Sequence, residues 1–179
     1  MQQRVVVIDG AMGTSIYSYD LTVDKDYAGC ENCPEMITQT RPEIIEEIHA
    51  SFFEVGCDAV ETNTFGANKV VLAEFDQAEH THALNKQAAE IACRARDKFS
   101  TPDRPRFVLG SMGPGTKLPT LGHTTFDVLE DSYAEQARGL LDGGVDAFII
   151  ETCQDILQCK AAICAATRAM DERNRRVPI

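Results

Sequence analysis

Four short apolar runs along the chain are each followed by a segment with helical spacing, and this alternation constrains the fold more than any other feature. The runs cover residues 5–8, 58–62, 106–111 and 146–151. The segments after them carry apolar residues three and four positions apart, as on the buried face of a helix. No hairpin signal joins two runs, so consecutive strands are expected to be parallel. The pattern predicts an α/β fold with a parallel sheet covered by helices.

An internal repeat favours a barrel over a doubly wound sheet. Gly56–Thr62 resembles Gly144–Thr152, and each copy has a helix-ending glycine, an aspartate entering the strand and Glu-Thr leaving it. Repeating βα units suit a (β/α)8 TIM barrel, and no Gly-x-Gly-x-x-Gly follows the first run, which argues against a dinucleotide-binding sheet. A barrel needs eight units and typically about 250 residues. We therefore expect residues 1–179 to be the N-terminal part of a single barrel domain, with four βα units and the start of strand five at Val177–Ile179.

The first helical segment has a start signal and a stop signal. Thr40-x-x-Glu43 has the spacing of a capping box, in which the threonine hydroxyl and the glutamate carboxylate satisfy backbone N–H groups at the helix start. Gly56 has the residue type that most often follows the last helical residue. We expect a helix between these two positions.

Charge and hydropathy exclude several classes of partner. The chain has 28 acidic and 17 basic residues, which gives a formal net charge of −11. Such a chain is a poor ligand for a phosphate backbone or an anionic membrane surface. No apolar run approaches the roughly 20 residues that span a bilayer, and Met1–Arg4 lead into the first apolar run without a signal-peptide core. These features predict a soluble, cytoplasmic protein with no nucleic-acid or membrane partner.

Cysteines and histidines form no pattern typical of a metal site. The seven cysteines are an odd set, and most lie inside apolar segments, where reduced thiols pack as small hydrophobic groups. Cys30-x-x-Cys33 has no second Cys or His pair at matching spacing, so we expect no metal ligand in this chain. Surface positions are predicted for all four histidines, His49, His80, His82 and His123.

Polar or glycine-rich residues follow all four apolar runs. They are Asp9–Thr14, Glu61–Thr64, Gly110–Gly115 and Glu151–Thr152. Barrel enzymes place their chemistry at the carboxyl ends of the strands, so four such ends together indicate a binding site.

Strand alternation separates the carboxylates within this region. Glu61 is three residues after Asp58, and Glu151 is five after Asp146, so both glutamates should face the same side of the sheet. If the two copies of the repeat align, Asn63 lies level with Glu151 at the mouth and Glu61 lies one layer deeper. We therefore expect Glu151 and Asn63 to contact a ligand, and Glu61 to be a structural carboxylate paired with a neighbour.

The segment Gly10-Ala11-Met12-Gly13-Thr14 has two interpretations. Its successive N–H groups could form a concave nest for an anion. Alternatively, it could be a tight turn in which glycine supplies a positive φ. Residue spacing does not decide between them.

The strand-end motifs resemble a known family. Asp9-Gly10-Ala11-Met12-Gly13-Thr14, Glu61-Thr62-Asn63-Thr64-Phe65, Arg41-Pro42-Glu43 and Gly110–Pro114 are similar to segments of the homocysteine S-methyltransferase family, and most of all to the homocysteine-binding domain of its cobalamin-dependent branch. The resemblance covers essentially the whole chain. It implies a (β/α)8 barrel, in which acidic residues after the first and fourth strands hold the homocysteine ammonium. The matching positions are Asp9 and Glu151.

The resemblance also implies a mechanism and a set of partners. In the family, zinc held by three cysteines after the sixth and eighth strands deprotonates the homocysteine thiol, which then accepts a methyl group, from methylcobalamin in this branch. These ligands would lie beyond Ile179, so we expect no zinc ligand in this chain and no activity of the chain alone. Gly10–Thr14 would meet the substrate carboxylate. The implied partners are homocysteine, the rest of the barrel, and cobalamin and folate modules.

Two alternatives to this function stay open. The chain could be a non-catalytic half-barrel that binds an amino acid, or part of a homocysteine methyltransferase with another methyl donor. A different barrel enzyme, such as an aldolase, would need a Schiff-base lysine at a strand end, and the nearest candidate is Lys117, in a loop.

Overall fold

A parallel sheet with helices packed on one face forms the body of the structure. The computed structural model describes residues 5–179; residues 1–4, where a signal-peptide start was sought, lie outside it. The strands are β1 (Ala59–Glu61), β2 (Phe107–Met112) and β3 (Ala147–Ile150). The helices are α1 (Met12–Tyr17), α2 (Ile37–Thr40), α3 (Pro42–Val55), α4 (Lys69–Leu72), α5 (Thr81–Phe99), α6 (Phe126–Gly143) and α7 (Ile156–Glu172).

The strand order follows the chain order, as the alternating pattern predicts. β1 pairs with β2 and β2 with β3, both in parallel. Ile8 makes a parallel bridge to Ala59 beside β1. At the opposite edge, the Phe148 N–H donates to the Pro178 carbonyl at 2.9 Å, so the chain after α7 begins to pair next to β3. Five segments in sequence therefore lie side by side, and the Ile8 segment and the three strands have their carboxyl ends on one side.

The first apolar run does not form the buried strand that its sequence predicts. Val5, Val6, Val7 and Ile8 are between 42% and 81% exposed, and of the four only Ile8 makes a ladder bridge. This run lies at the edge of the sheet with β1 on one side, so its side chains lack the neighbours that bury β2. An apolar run shows that burial of its side chains would be favourable. Whether a second strand or a helix covers the run is decided by the tertiary structure.

The internal repeat has a structural explanation at the start of the strands. Asp58 Oδ2 accepts a hydrogen bond from the Val7 N–H at 2.9 Å, and Asp146 Oδ2 accepts one from the Val108 N–H at 2.8 Å. In both copies the carboxylate thus continues the hydrogen bonding between parallel strands. The preceding glycine, Gly56 or Gly144, ends a helix with a positive φ (112° and 100°), which favours glycine.

The core lies between the sheet and the long helices. Val60, Val108 and Phe148 point from the three strands into it and are at most 3% exposed. The buried face of α7 consists mainly of alanines, which let this helix approach α6 closely. On the other face of the sheet, Leu109 and the β3 residue Ile149 are half-buried.

The helix α3 begins one residue later than the capping-box prediction. Arg41 occupies the cap position and makes no side-chain cap bond there. The Thr40 hydroxyl instead donates to the Met36 carbonyl at 3.2 Å and to the Asp26 carbonyl. The capping box is therefore wrong: Pro42, which needs no N–H partner, provides the start of the helix.

The prediction of a surface position for His49 is also wrong. His49 lies on α3 and is 0% exposed, and neither ring nitrogen has a hydrogen-bond partner among the described residues. Burial lowers the pKa of His49 to about 4. The imidazole therefore stays neutral in the folded chain at pH values where a free histidine would be charged.

We expect His49 to make stability depend on pH. Because its folded pKa of about 4 is below the unfolded value, the unfolded chain binds the proton more tightly, and stability is lost as the pH falls from 6.5 towards 4. Compared with His49→Leu, which cannot titrate, the parent should lose up to about 3 kcal/mol of unfolding free energy over this range. Urea unfolding at several pH values measures the difference. His80→Gln, at an exposed histidine, is the control, and parallel pH profiles for the parent and His49→Leu would contradict the assignment.

Candidate functional site

The carboxyl ends of the strands bring three carboxyl groups together. The first is Asp9, whose Oδ1 accepts a hydrogen bond from the Glu61 N–H at 2.8 Å. The Asp9 N–H in turn donates to the Ala59 carbonyl at 3.1 Å. These two bonds fix Asp9 beside the end of β1, although the run that precedes it is largely exposed.

Glu61 and Glu151 line the same cavity. Glu151 follows β3 directly, and its Oε1 accepts a hydrogen bond from the Ser111 hydroxyl at 2.5 Å. Glu61 is the last residue of β1 and lies close enough to Glu151 for the two carboxyl groups to interact. The two glutamates therefore share a face, as strand alternation predicts. The division into a structural Glu61 and a ligand-binding Glu151 finds no support in their positions, because both reach the cavity.

Burial and mutual repulsion weaken the acidity of this cluster. Burial raises the pKa of Glu61 to about 7, and the negative charge of Glu151 adds to the shift. Burial is also the main cause that raises the pKa of Asp9 to about 7; the Glu61 N–H opposes this shift, and the charges of Glu61 and Glu151 add to it. At neutral pH the empty site therefore holds protons that a nearby cation would displace.

The cavity at this end of the sheet has a volume of about 440 Å³. Its walls combine carboxylates and hydroxyls with two aromatic residues, Tyr17 and Phe65. The lining residues are Ala11, Met12, Gly13, Thr14, Tyr17, Pro34, Glu35, Glu61, Thr62, Asn63, Thr64, Phe65, Ser111 and Glu151. A space of this size suits a small molecule.

The segment 10–14 forms the start of a helix. Ala11 has φ 57° and precedes α1, and its carbonyl accepts a hydrogen bond from the Ser15 N–H at 2.8 Å. The positive φ therefore lies on alanine, and the interpretation that these glycines supply it is wrong. A Cβ at Gly10 or Gly13 would meet no atom within 4 Å, so open space surrounds both. Gly13 lines the cavity, whereas Asp9 and Gly10 are not among its lining residues.

Asn63 lies in the cavity wall, and its amide nitrogen is already engaged. Its Nδ2 donates to the Pro34 carbonyl at 2.9 Å and to Thr38 Oγ1 at 3.2 Å. The sheet register pairs Glu61 with Leu109, and Ser111 with Ile149. A residue two positions after Glu61 is therefore level with Ile149, and the expected alignment of Asn63 with Glu151 is wrong. The reason is the stagger of the strands: Ala59, after Asp58, pairs with Phe107, whereas Ala147, after Asp146, pairs with Leu109, two positions further along β2.

Three residues that line the cavity lie outside every segment singled out from the sequence: Tyr17, Pro34 and Glu35. Ser111, by contrast, belongs to a strand-end motif, and its hydroxyl faces Glu151 because β2 and β3 are adjacent. Tyr17 and Glu35 come from the long polar segment before α3, where no periodicity marks an inward-facing side chain. The preceding Pro34 is only a weak sequence signal that Glu35 lies in the cavity wall.

The cysteines of the described residues are all free, and no group of three or more His, Cys, Asp or Glu side chains between residues 5 and 179 is arranged to hold a metal ion. In the Cys30-x-x-Cys33 pair, the Cys33 thiol donates to Glu35 Oε2 at 3.5 Å. Burial, followed by the charge of Glu35, raises the pKa of the Cys33 thiol far above its usual range. This thiol therefore has little tendency to become a nucleophile or a metal ligand.

Within the described part of the chain, no helix has both the length and the apolar character required to cross a membrane.

Two methionine synthases are similar to this chain in sequence. Over its whole length the chain is 52% identical to a methionine synthase of Mycobacterium tuberculosis and 51% identical to that of Mycobacterium leprae. It spans 15% of the length of each of these relatives.

Solved structures show the same fold. The metallated form of the homocysteine methyltransferase MmuM from Escherichia coli superposes with a TM-score of 0.76 at 20% identity, over 99% of this chain and 62% of that one. The oxidised form gives a TM-score of 0.75 at 19% identity, over 99% of this chain and 61% of that one. Residues 6–179 match the sequence profile described as homocysteine S-methyltransferase, and the chain belongs to that family.

Proposed function

We propose that this chain is the homocysteine-binding, methyl-accepting part of a methionine synthase. The observation that carries the proposal is the pair Glu61 and Glu151 in the wall of a cavity of about 440 Å³, with Asp9 bonded to the Glu61 N–H, in a chain of this family. An amino-acid substrate offers an ammonium group, which complements buried carboxylates better than any neutral ligand does. The 52% identity to a methionine synthase favours this branch of the family.

The carboxylates bind the ammonium group of the substrate. Glu151 is held in place by Ser111, and Asp9 by the Glu61 N–H, so the acceptors are oriented before the ligand arrives. Gly10–Thr14, at the start of α1, would direct backbone N–H groups towards the substrate carboxylate. Asn63 would shape the wall opposite α1. The task of this chain is to bind and orient homocysteine.

The metal and the methyl donor belong to other parts of the full-length protein. The described residues provide no zinc ligand set, so zinc does not fit this part of the protein. Relatives that are several times longer leave room for zinc-binding, cobalamin and folate modules as partners.

The rest of a (β/α)8 barrel would pair with the segments at the two edges of the sheet, next to Ile8 and Pro178. Residues 1–179 would then be the N-terminal part of one barrel domain, in a cytoplasmic enzyme. The similarity to a solved homocysteine methyltransferase over 99% of this chain supports this arrangement.

Glu151→Gln in the full-length protein should weaken homocysteine binding. The substitution keeps the size of the side chain and removes one charge that faces the ammonium, which costs on the order of 1.5–3 kcal/mol. Calorimetric titration of homocysteine measures the loss, with zinc content assayed in parallel. Glu54→Gln, the same change at an exposed position of α3, is the matched control. An unchanged affinity in Glu151→Gln, or the loss of zinc from it, would falsify the assignment.

Homocysteine binding should release protons near neutral pH. The raised pKa values of Asp9 and Glu61, both about 7, mean that the empty folded site binds protons more tightly than the unfolded chain. The associated stability is full below the unfolded values near pH 4 and is lost as the pH rises through 7. An ammonium lowers both pKa values, so about one proton should leave for each ligand bound near pH 6.5.

Calorimetry at pH 6.5 in two buffers of different ionisation enthalpy counts these protons. Glu61→Gln should bind homocysteine with a clearly smaller release, and Glu54→Gln should match the parent. The thiol can also lose a proton on binding, so the contribution of the carboxyl groups is the difference in release between the parent and Glu61→Gln. An equal release in these two proteins would show that the carboxyl groups do not titrate with the ligand.

A further inference from the structure

A buried carboxyl group that the proposed binding mode does not use lies in the cavity wall. Glu35 belongs to a short turn before α2 and is 5% exposed. It borders the substrate cavity and also a second cavity of about 350 Å³. Pro34, Phe65 and Tyr17 border both cavities as well, so these four residues form the partition between them.

The Glu35 carboxyl group binds the loop that follows β1. Its Oε1 accepts a hydrogen bond from the Gly66 N–H at 2.6 Å, and its Oε2 accepts one from the Cys33 thiol at 3.5 Å. A Cβ at Gly66 would lie 2.8 Å from Glu35 Oε1, so a side chain here would displace the Glu35 carboxyl group from its present position. The turn that carries Glu35 and the loop after β1 are therefore in direct contact.

A second contact joins the same two segments. Asn63 Nδ2 donates to the Pro34 carbonyl at 2.9 Å, next to Glu35 in the chain. Between the two attachments lies Phe65, whose carbonyl accepts a hydrogen bond from the Gly113 N–H at 3.1 Å. A Cβ at Gly113 would lie 2.5 Å from that carbonyl oxygen, so Phe65 has a neighbour on its other side as well. The loop 63–66 is therefore held from two directions.

We propose that Glu35 is a positioning residue of the homocysteine site, which holds the loop 63–66 in place as the cavity wall through its bond to the Gly66 N–H. The inference rests on the proposed function, because it gives this wall a role in binding that substrate. Glu35 acts through Gly66 and Phe65, without a contact to the reacting atoms. Burial raises the pKa of the Glu35 carboxyl group, which favours its neutral form, so a glutamine at this position reproduces both the shape and the acceptor.

Homocysteine titrations of the full-length protein test the role of Glu35. Glu35→Ala removes the acceptor and should raise the Kd for homocysteine about 10-fold, the effect of one hydrogen bond. Glu35→Gln keeps an acceptor oxygen and should recover most of that affinity. The control is Leu141→Ala, which shortens a side chain of α6 that is 3% exposed and does not line the cavity. This control should lower the Tm and leave the Kd for homocysteine within about threefold of the parent value. It therefore separates general destabilisation from a displaced cavity wall.

A second pair of variants tests the same contact from the other side. Gly66→Ala places a methyl group against Glu35 and should weaken homocysteine binding to a similar degree. In the Glu35→Ala background the space is free, so Gly66→Ala should add little further loss. If Glu35→Ala does not fold, Gly66→Ala and Glu35→Gln decide the question: a raised Kd in the former and a near-parent Kd in the latter support the role.

The outcomes separate this inference from the proposed function. A parent protein that binds no homocysteine would overturn the proposed function. A parent protein that binds homocysteine, with a Kd unchanged in both Glu35→Ala and Gly66→Ala, would overturn the positioning role alone. Additive losses in the double variant would also contradict it, because independent effects do not arise from one contact.

Discussion

Hydrogen bonds between the parallel strands β1, β2 and β3 set the direction of the strand ends that carry Glu61, Ser111 and Glu151 to the site. Because all strands run the same way, their carboxyl ends meet on one side, and the residues after them share a cavity. Asp58 and Asp146 extend this bonding at the other end, where each carboxylate accepts a backbone N–H from the neighbouring segment. A slip of one residue in either pairing would turn Glu61 or Glu151 to the opposite face.

The cluster formed on that side is costly for the empty protein. Asp9 and Glu61 lose hydration, and the charges of Glu61 and Glu151 repel one another, which raises the pKa values of Asp9 and Glu61 to about 7. A ligand with an ammonium group removes the repulsion and replaces lost water contacts, so the features that weaken the empty fold strengthen binding. Hydrogen bonds within the protein hold two of these carboxyl groups in place: the Ser111 hydroxyl donates to Glu151, and the Glu61 N–H donates to Asp9.

Long-range contacts explain where the sequence prediction and the structure differ. His49 sits in a helix whose pattern does not distinguish a buried flank from an exposed one, and the packing around α3 encloses it. The Thr40 hydroxyl has the spacing of a cap, yet the carbonyls of Met36 and Asp26 are closer partners. Glu35 lies in the cavity wall and binds Gly66, which is 31 residues away in the chain. No local periodicity indicates this pairing.

The sequence by itself determined the alternation of strands and helices, the strand directions, and the placement of Asp9, Glu61 and Glu151 at strand ends. These follow from local rules: side chains alternate along a strand, helices repeat about every 3.6 residues, and parallel strands need crossovers. Only the tertiary structure decided that Glu61 and Glu151 line one cavity and that Glu35 is part of its wall. It also decided that the Asn63 amide nitrogen donates to Pro34 and Thr38. Those outcomes depend on distances between segments far apart in the chain, which are set when the strands and loops pack together.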